Sequence, residues 1–427
     1  MRRYSTLLKP AVHPKQVPTS GTYPLGFRVA AVNAGLKKNA KALDMALVVS
    51  DTKAAVGAVF TKNAFAAAPV IVARQIVADE PFVQAVLVNA GQTGLKDANA
   101  AIVATDKALN FATSSKSTIM LSTGVIGVPL KMDKILAAIP KLAAALDSSH
   151  ASWLSVATGI MTTDTFPKLR SREFIGSTGK SYRMAGWAKG AGMIHPNMGT
   201  MLGGIFTDAA VAPACLKAAL GYAVERSFNA ISVDGDTSTN DSLVVLANGA
   251  ANGAVLMDNV ASEDFIAFRD NLTVFAAELA GLIVRDGEGA TKFLDIQVEN
   301  AKSFEDAKAV ASSIARSPLV KTAMFGQDAN WGRIICAVGY SGVDIDPTKV
   351  NLRMETRESE RTHEIVHLFK DGAPFEVFSQ QDKDKAKRIL AGEDIVIRVD
   401  LGIGNSNAQM YTCDLTFDYV KINIDYT

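Results

Sequence analysis

The pattern of apolar and polar positions along the chain predicts strands and helices in irregular alternation. Short segments rich in β-branched residues and bounded by polar turns predict strands, whereas longer segments with helical apolar spacing predict helices. The predicted strands are Ala46–Ser50, Ala55–Thr61, Pro69–Ala73, Ala85–Asn89, Thr118–Ser122, Ala230–Val233, Leu243–Ala247, Ile395–Asp400 and Met410–Ile424. The predicted helices are Leu95–Phe111, Met132–Leu146, Ala151–Ile160, Ala214–Arg226, Ser262–Arg285 and Ser303–Ala315. The polar stretch Lys168–Ser181 predicts a surface loop.

The length of 427 residues exceeds what one ordinary hydrophobic core covers, so the pattern predicts a layered α/β (α+β) fold with two lobes. Hydrophobic residues make up 48% of the chain and charged residues 20%, which is typical of a globular protein. A net charge of +1 gives no field that would attract nucleic acid or an anionic membrane. No apolar run reaches the ~20 residues of a membrane-spanning helix. We therefore expect neither a nucleic-acid partner nor a membrane.

The three cysteines, Cys215, Cys336 and Cys413, lie far apart and form no CxxC pair. This spacing argues against a disulfide framework and against a thiolate metal site, and it indicates a reducing, intracellular compartment.

The N-terminal segment contains basic and hydroxyl residues but no acidic residue before Asp44. This composition is typical of a mitochondrial targeting peptide, which we assign to residues 1–17. An ordinary basic tail is the alternative.

Two short motifs lack the structural context that their chemistry needs. The segment from His363 to His367 matches the zinc-protease pattern HExxH, which binds metal on a helix. Here the flanking residues predict a strand and a hairpin turn at Lys370-Asp371-Gly372, and on a strand the two histidines would stand ~13 Å apart. Gly176–Ser181 resembles the end of a phosphate-binding loop, but Phe174 occupies the position of its first glycine. We therefore expect no metal site and no nucleotide site at these positions.

The informative stretch runs from Lys189 to Leu202 and reads KGAGMIHPNMGTML. Taken alone, it predicts a tight turn that enters a buried strand, with Thr200 as an ordinary strand residue. The stretch, however, resembles the processing site of the glutamate N-acetyltransferase (ornithine acetyltransferase) family, K-G-[SA]-G-M-I-x-P-N-M-A-T-M-L. Other blocks agree in order, namely Ser122–Gly127, Met161–Pro167, Ser232–Asp241, Arg285–Lys292, Asn330–Arg333, Thr412–Leu415 and Lys421–Asn423. The resemblance extends from about Pro18 to Thr427.

The resemblance implies that the protein cuts its own chain between Gly199 and Thr200. Residues 18–199 would form an α chain and residues 200–427 a β chain, assembled as two of each in an N-terminal-nucleophile-like fold. Thr200 would be the nucleophile, and its freed α-amine, with a pKa near ~8, could take the hydroxyl proton. The oxyanion would be stabilised by the hydroxyl of Thr123 and the backbone N–H of Gly124.

The implied reaction moves an acetyl group from N-acetylornithine to glutamate through an acetyl-threonine ester, without a metal or cofactor. Some family members also accept acetyl-CoA. The family type is the one that serves arginine biosynthesis in the mitochondrial matrix. By the same resemblance, the substrate-binding residues are Thr163, Lys189, Thr200, Glu288, Asn423 and Thr427. Lys189 suits a substrate carboxylate and Glu288 the ornithine amine, because charges in a closed site must be paired.

The sequence departs from the family pattern at three places. Gly199 replaces the usual alanine, the region Val88–Leu95 is shorter by about seven residues, and the tail ends early after Thr427. Two alternatives remain open. One is a self-processing aminopeptidase, in which water takes the acyl group, and the other is a homologue that neither cleaves nor catalyses.

Overall fold

A computed structural model of the chain describes residues 16–37, 39, 41–91, 94–112, 116–123, 131–177, 179–195, 201–357, 363–375 and 379–424. The described strands are β1 (Phe27–Val32), β2 (Met45–Phe60), β3 (Phe82–Ala90), β4 (Thr118–Thr123), β5 (Lys168–Ile175), β6 (Ser181–Lys189), β7 (Leu202–Thr207), β8 (Ile231–Ser232), β9 (Ser242–Ala247), β10 (Phe293–Ala301), β11 (Asn351–Thr356), β12 (Ile365–Lys370), β13 (Ala373–Pro374), β14 (Asp394–Asp400) and β15 (Ser406–Cys413). The described helices are α1 (Ala68–Asp79), α2 (Leu95–Ala108), α3 (Met132–Ala144), α4 (His150–Gly159), α5 (Pro213–Glu225), α6 (Glu263–Arg285), α7 (Phe304–Arg316), α8 (Pro318–Phe325), α9 (Trp331–Gly339), α10 (Gln380–Ala391) and α11 (Phe417–Ile424).

The chain divides into two compact units, which confirms the predicted two-lobed α/β fold. The larger unit holds the described residues up to Asn229 together with Asp236–Ile283, and the smaller unit holds Ala230–Gly235 and the described residues from Val284 onward. This division does not fall at residues 199 and 200. The proposed α and β chains are therefore not the two compact units, and that boundary stays a prediction.

The larger unit is built on a sheet with the strand order β4-β3-β2-β9-β7-β6-β5, and β1 pairs with β2 beside this path. The long strand β2 joins two parts of the sheet, because Met45–Val49 pair with β1 and β3 whereas Ala55–Phe60 pair with β9. Helices α1 and α2 pack against β4, α4 packs against β1, and α5 packs against β2 and β9. Trp153, Trp187 and Phe206 lie in the core that these elements enclose.

The smaller unit is built on a second sheet with the strand order β13-β12-β11-β14-β10-β15-β8. Its interior strand β10 pairs in parallel with β14 and antiparallel with β15. Helix α7 packs against β10 and β15 with its apolar face, which includes Val310 and Ile314. Ser303 begins this helix by accepting a hydrogen bond from the Asp306 N–H.

Four local predictions were wrong. Ala46–Ser50 and Ala55–Thr61 were predicted as two strands separated by a polar turn, but Met45–Phe60 forms the single strand β2. Pro69–Ala73 was predicted as a strand but lies in α1, because its buried positions continue at helical spacing to Ile76 and Pro69 suits a first helical turn. Lys168–Ser181 was predicted as a loop but forms most of the β5–β6 hairpin, whose polar side chains lie partly exposed. The tail was predicted as one strand over Met410–Ile424. The strand ends at Cys413, and α11 follows.

Among the helices that the structure describes, none is long and apolar enough to cross a membrane.

Candidate active site

The predicted oxyanion residue Thr123 is the last residue of β4, a strand in which every side chain is buried. The backbone around it is held on both sides of the chain. The carbonyl of Ser122 accepts a hydrogen bond from Asn240 Nδ2 at 2.8 Å, and the carbonyl of Thr123 accepts one from the Gly91 N–H at 2.5 Å. The Thr123 hydroxyl therefore starts from a fixed backbone position, as a preorganised donor must.

The predicted substrate residue Lys189 is the last residue of β6 and is 3% exposed. Its Nζ atom lies 3.5 Å from Thr123 Oγ1, although 66 residues separate the two in sequence. In the ladder between β6 and β7, Lys189 is paired with Leu202, which follows Thr200 by two residues. The fold thus brings the predicted oxyanion residue and a buried cation to the end of β6, where β7 begins.

The buried carboxylate of Asp164 binds backbone groups of residues that directly neighbour two predicted substrate residues. It accepts hydrogen bonds from the Thr162 N–H at 2.9 Å and from the Gly190 N–H at 2.8 Å, next to Thr163 and Lys189 respectively. Lys168 Nζ lies 2.5 Å from the same carboxylate. Burial alone would raise the pKa of Asp164, but the charges of Lys168 and Lys189 and the Gly190 hydrogen bond hold it well below its usual value. Asp164 is therefore an anion in the folded protein.

The first described residue after Thr200 is Met201, which is buried and bound through its backbone. Its N–H donates to Asp241 Oδ1 at 2.7 Å, and its carbonyl accepts from the Ser242 N–H at 3.1 Å. Burial raises the pKa of Asp241 well above its usual value, against a smaller lowering by the Met201 hydrogen bond and the Lys189 charge. The peptide that joins residues 200 and 201 is thus anchored through its nitrogen.

In the smaller unit, two predicted substrate residues that are far apart in sequence contact each other. Asn423 Nδ2, on α11, donates to Glu288 Oε2 at 2.9 Å. Gly289 has a positive φ of 71°, and a Cβ atom there would lie 2.6 Å from the Tyr419 backbone nitrogen, so only glycine fits this turn. Asp414 accepts hydrogen bonds from the Thr291 N–H at 2.8 Å and the Lys292 N–H at 3.0 Å. The Glu288 turn is fixed by these contacts.

The motifs set aside on sequence grounds have ordinary structural roles. His363 precedes β12 and lies 3.5 Å from Glu355, whereas His367 lies within β12 and stacks on Phe375. Among the described residues, no group of three metal-ligating side chains is close enough to hold an ion. Gly176 donates to the Lys180 carbonyl at 2.8 Å, as expected for the turn of the β5–β6 hairpin.

Four predicted site residues, Gly124, Gly199, Thr200 and Thr427, lie outside the described residues. The structure places the other five, with Thr123, Thr163 and Lys189 in the larger unit and Glu288 and Asn423 in the smaller one.

The comparisons with known proteins decide the family. The sequence model of the ArgJ family matches residues 28–427. This chain belongs to the ArgJ family. An arginine biosynthesis bifunctional protein ArgJ, mitochondrial, from Sordaria macrospora is 48% identical and aligns over 98% of this chain and 91% of its own length. The protein of the same name from Yarrowia lipolytica is 47% identical over 96% of this chain and 95% of its own length. A crystal structure of ArgJ from Bacillus halodurans is 38% identical, with a TM-score of 0.46, and covers 51% of this chain and 96% of its own.

Within this ArgJ chain, sequence reasoning assigned no role to three buried polar residues, Asp164, Asn240 and Asp241. Each lies inside a block that matches the family, and each is at most 9% exposed. One feature of the sequence could have pointed to them. Each is a polar residue in a block that matches the family, and it lies near a predicted site residue or just before a predicted strand. This feature could have marked these positions for attention, but not their hydrogen-bond partners.

Proposed function

We propose that this chain transfers an acetyl group from N-acetylornithine to glutamate, with Thr200 as the nucleophile. The observation that supports this most directly is the 3.5 Å approach of Lys189 Nζ to Thr123 Oγ1 at the end of β6, where β7 begins. A hydroxyl donor and a buried cation at the start of the strand that follows Thr200 suit acyl transfer to and from an anionic substrate.

The first step of the proposed mechanism is self-cleavage. Thr200 Oγ attacks the carbonyl carbon of Gly199, the bond to the Thr200 nitrogen breaks, and the nitrogen gains a proton. The acyl group then rests on Oγ as an ester, which water hydrolyses to a new carboxylate on Gly199 and a free Thr200 hydroxyl. The products are an α chain of residues 18–199 and a β chain of residues 200–427, which we expect to assemble as two of each.

The second stage is a ping-pong transfer. The freed α-amine of Thr200 takes the proton of Oγ as that oxygen attacks the acetyl carbonyl of N-acetylornithine. Thr123 and Gly124 stabilise the oxyanion, and the departing amide nitrogen takes the proton back from the α-ammonium. Ornithine leaves with a free amine, and an acetyl ester remains on Oγ. The glutamate amine then attacks the ester, which releases N-acetylglutamate and restores the hydroxyl. Acetyl-CoA is a second acetyl donor that the same ester mechanism would accept.

The remaining assignments concern binding and location. We assign Lys189 to a substrate carboxylate, Glu288 to an amine, and Thr163, Asn423 and Thr427 to supporting contacts.

The basic start of the sequence supports import into the mitochondrial matrix. A fusion of residues 1–20 to a reporter tests this, because a reporter that stays in the cytosol would contradict it.

The decisive experiment combines a denaturing gel with a transfer assay. We expect two fragments, the second beginning Thr200-Met201-Leu202 by N-terminal sequencing, and acetyl transfer from N-acetylornithine to glutamate by the same sample. Thr200→Ala should remain one chain and be inactive, whereas Thr200→Ser keeps a hydroxyl and should retain measurable cleavage. A single uncut chain would identify a non-cleaving homologue. Release of free acetate at the same rate with and without glutamate would identify a hydrolase instead.

A further inference from the structure

Two adjacent residues, Asn240 and Asp241, bind the two backbone segments that lie next to Thr123 and Thr200 in sequence. The Asn240 amide donates to the Ser122 carbonyl at 2.8 Å, one residue before Thr123. The Asp241 carboxyl accepts from the Met201 N–H at 2.7 Å, one residue after Thr200. Neither residue was assigned a role by the sequence or by the resemblance to the family.

We propose that Asn240-Asp241 is a positioning dipeptide, which sets the distance between the backbone at Met201, next to the proposed nucleophile in sequence, and the backbone at Ser122, next to the proposed oxyanion donor Thr123. The inference rests on the proposed function, because it concerns the same acetyl transfer. Neither residue needs to touch the substrate. Each acts through the backbone of the neighbouring catalytic segment.

The dipeptide is itself held firmly, which a positioning element requires. The Asn240 N–H donates to Ser238 Oγ at 3.1 Å, and the Ser242 hydroxyl donates to the Asn240 carbonyl at 3.1 Å. The Thr239 hydroxyl donates to Asn240 Oδ1 at 2.6 Å, which orients the amide so that its nitrogen faces the Ser122 carbonyl. Both side chains are buried, Asn240 at 4% and Asp241 at 0% exposure. Two short side chains on one rigid segment therefore fix two backbone positions at once.

The charge state of Asp241 suits positioning better than proton transfer. Burial raises the pKa of Asp241 and so favours the neutral carboxyl, and this outweighs the hydrogen bonds that favour the charged form. A neutral carboxyl still accepts the Met201 N–H through its carbonyl oxygen. It also avoids placing a negative charge beside the start of the β chain, where such a charge would favour the protonated α-amine and so suppress the base.

The test compares substitutions that keep or remove the accepting oxygen. Asp241→Asn keeps a neutral carbonyl oxygen at the same place, whereas Asp241→Leu removes it at similar size. We expect Asp241→Leu and Asn240→Leu to lower the kcat of the mature enzyme by about 10²-fold with little change in KM, because a misplacement of about 1 Å can have that effect. Asp241→Asn should stay within a few-fold of wild type.

The matched control is Asn248→Leu, at the other end of the same strand β9. The Asn248 amide also donates across the unit, to the Leu25 carbonyl at 3.0 Å and the Ser50 hydroxyl at 3.3 Å, neither of which belongs to the segments around Thr123 and Met201. The Asn248→Leu variant should have a lower melting temperature than wild type but the same kcat. The double variant of Asn240 and Asp241 should lose little more activity than either leucine variant alone, since both set one distance.

Four outcomes decide the proposal. Unchanged kcat in folded, mature Asp241→Leu would overturn it, and so would a loss in Asp241→Asn as large as in Asp241→Leu, because charge would then matter more than position. If the leucine variants do not fold, Asn240→Asp provides the test, since it keeps the shape but removes the donor to Ser122, and wild-type kcat in that variant would overturn the proposal. If the wild-type protein transfers no acetyl group, the proposed function fails. The rate of self-cleavage in the same variants then decides the positioning role.

Discussion

The Asp164 carboxylate lies 2.5 Å from the Lys168 ammonium, and both side chains are fully buried. The pair lies four residues apart, across the start of β5, and the same carboxylate also binds the backbone next to Thr163 and Lys189. A buried ion pair is costly to desolvate, and removal of one member leaves the other charge unpaired. The pair therefore links the stability of the larger unit to the order of its candidate substrate site.

Asp164→Asn should lower the free energy of unfolding at neutral pH by about 3–5 kcal/mol, because the buried Lys168 ammonium loses the opposite charge of Asp164. The pKa of Asp164 is lower in the folded protein than in the unfolded chain. Its stabilising contribution is therefore present above about pH 4 and is lost as the pH falls below that value. Urea unfolding at several pH values should show the difference between wild type and variant shrinking on acidification.

The control for this measurement is Asp344→Asn, which removes the partner of Lys302 in an exposed ion pair. Exposed pairs contribute little, so this variant should unfold much as the wild type does at every pH. A difference for Asp164→Asn that stays constant down to pH 3 would mean that the charge of Asp164 is not the source of its contribution.

If Thr123 is the proposed oxyanion donor, Thr123→Ala should lower kcat by roughly 10²–10³-fold, because it removes a donor to a charge that forms only in the transition state. Thr123→Ser keeps the hydroxyl and should lose much less. Steady-state kinetics with N-acetylornithine and glutamate distinguish this role from ground-state binding. A raised KM with unchanged kcat would assign Thr123 to substrate binding instead.

The sequence pattern was most informative where burial is one-sided or complete. The strands near Leu87 and Val245 and the helix ending at Arg285 were predicted close to their observed places. The pattern was misleading at Pro69–Ala73, where Val70 and Val72 are buried in a helix and Ile71 is exposed, because tertiary packing outweighed strand propensity.

The candidate site was predicted from the resemblance rather than from local pattern. The hydrogen bonds that support this site could not be predicted from the sequence, because Asp164, Asn240 and Asp241 bind partners that are distant in sequence or are backbone atoms. The Asn240 contact with Ser122 spans 118 residues, and no local periodicity encodes it.

Asn423→Leu should raise the KM for N-acetylornithine several-fold while kcat changes little. Asn423 Nδ2 donates to the Glu288 carboxylate at 2.9 Å, and we propose that this contact orients Glu288 toward the ornithine amine. The exposed position of Asn423 on α11 makes a general loss of stability small. Glu288→Gln is the companion variant and should raise KM further, because it removes the charge that pairs with an amine. Equal KM values for wild type and both variants would show that the Glu288 carboxylate does not bind the substrate.

The last prediction concerns Gly199, which stands where the family usually has alanine. Glycine has no Cβ to crowd the carbonyl that Thr200 would attack in the proposed self-cleavage, and this favours the reaction. The same freedom makes it more costly in entropy to hold residue 199 in a reactive geometry, and a misplaced attacking atom can lower a rate by about 10²-fold. We expect lost preorganisation to outweigh relief of crowding, so Gly199→Ala should mature faster than the natural sequence. The kcat of the mature enzyme should stay the same, because residue 199 becomes the end of the α chain. Time-resolved gels of freshly synthesised protein measure the rate, and slower maturation of the alanine variant would show that the site is adapted to glycine.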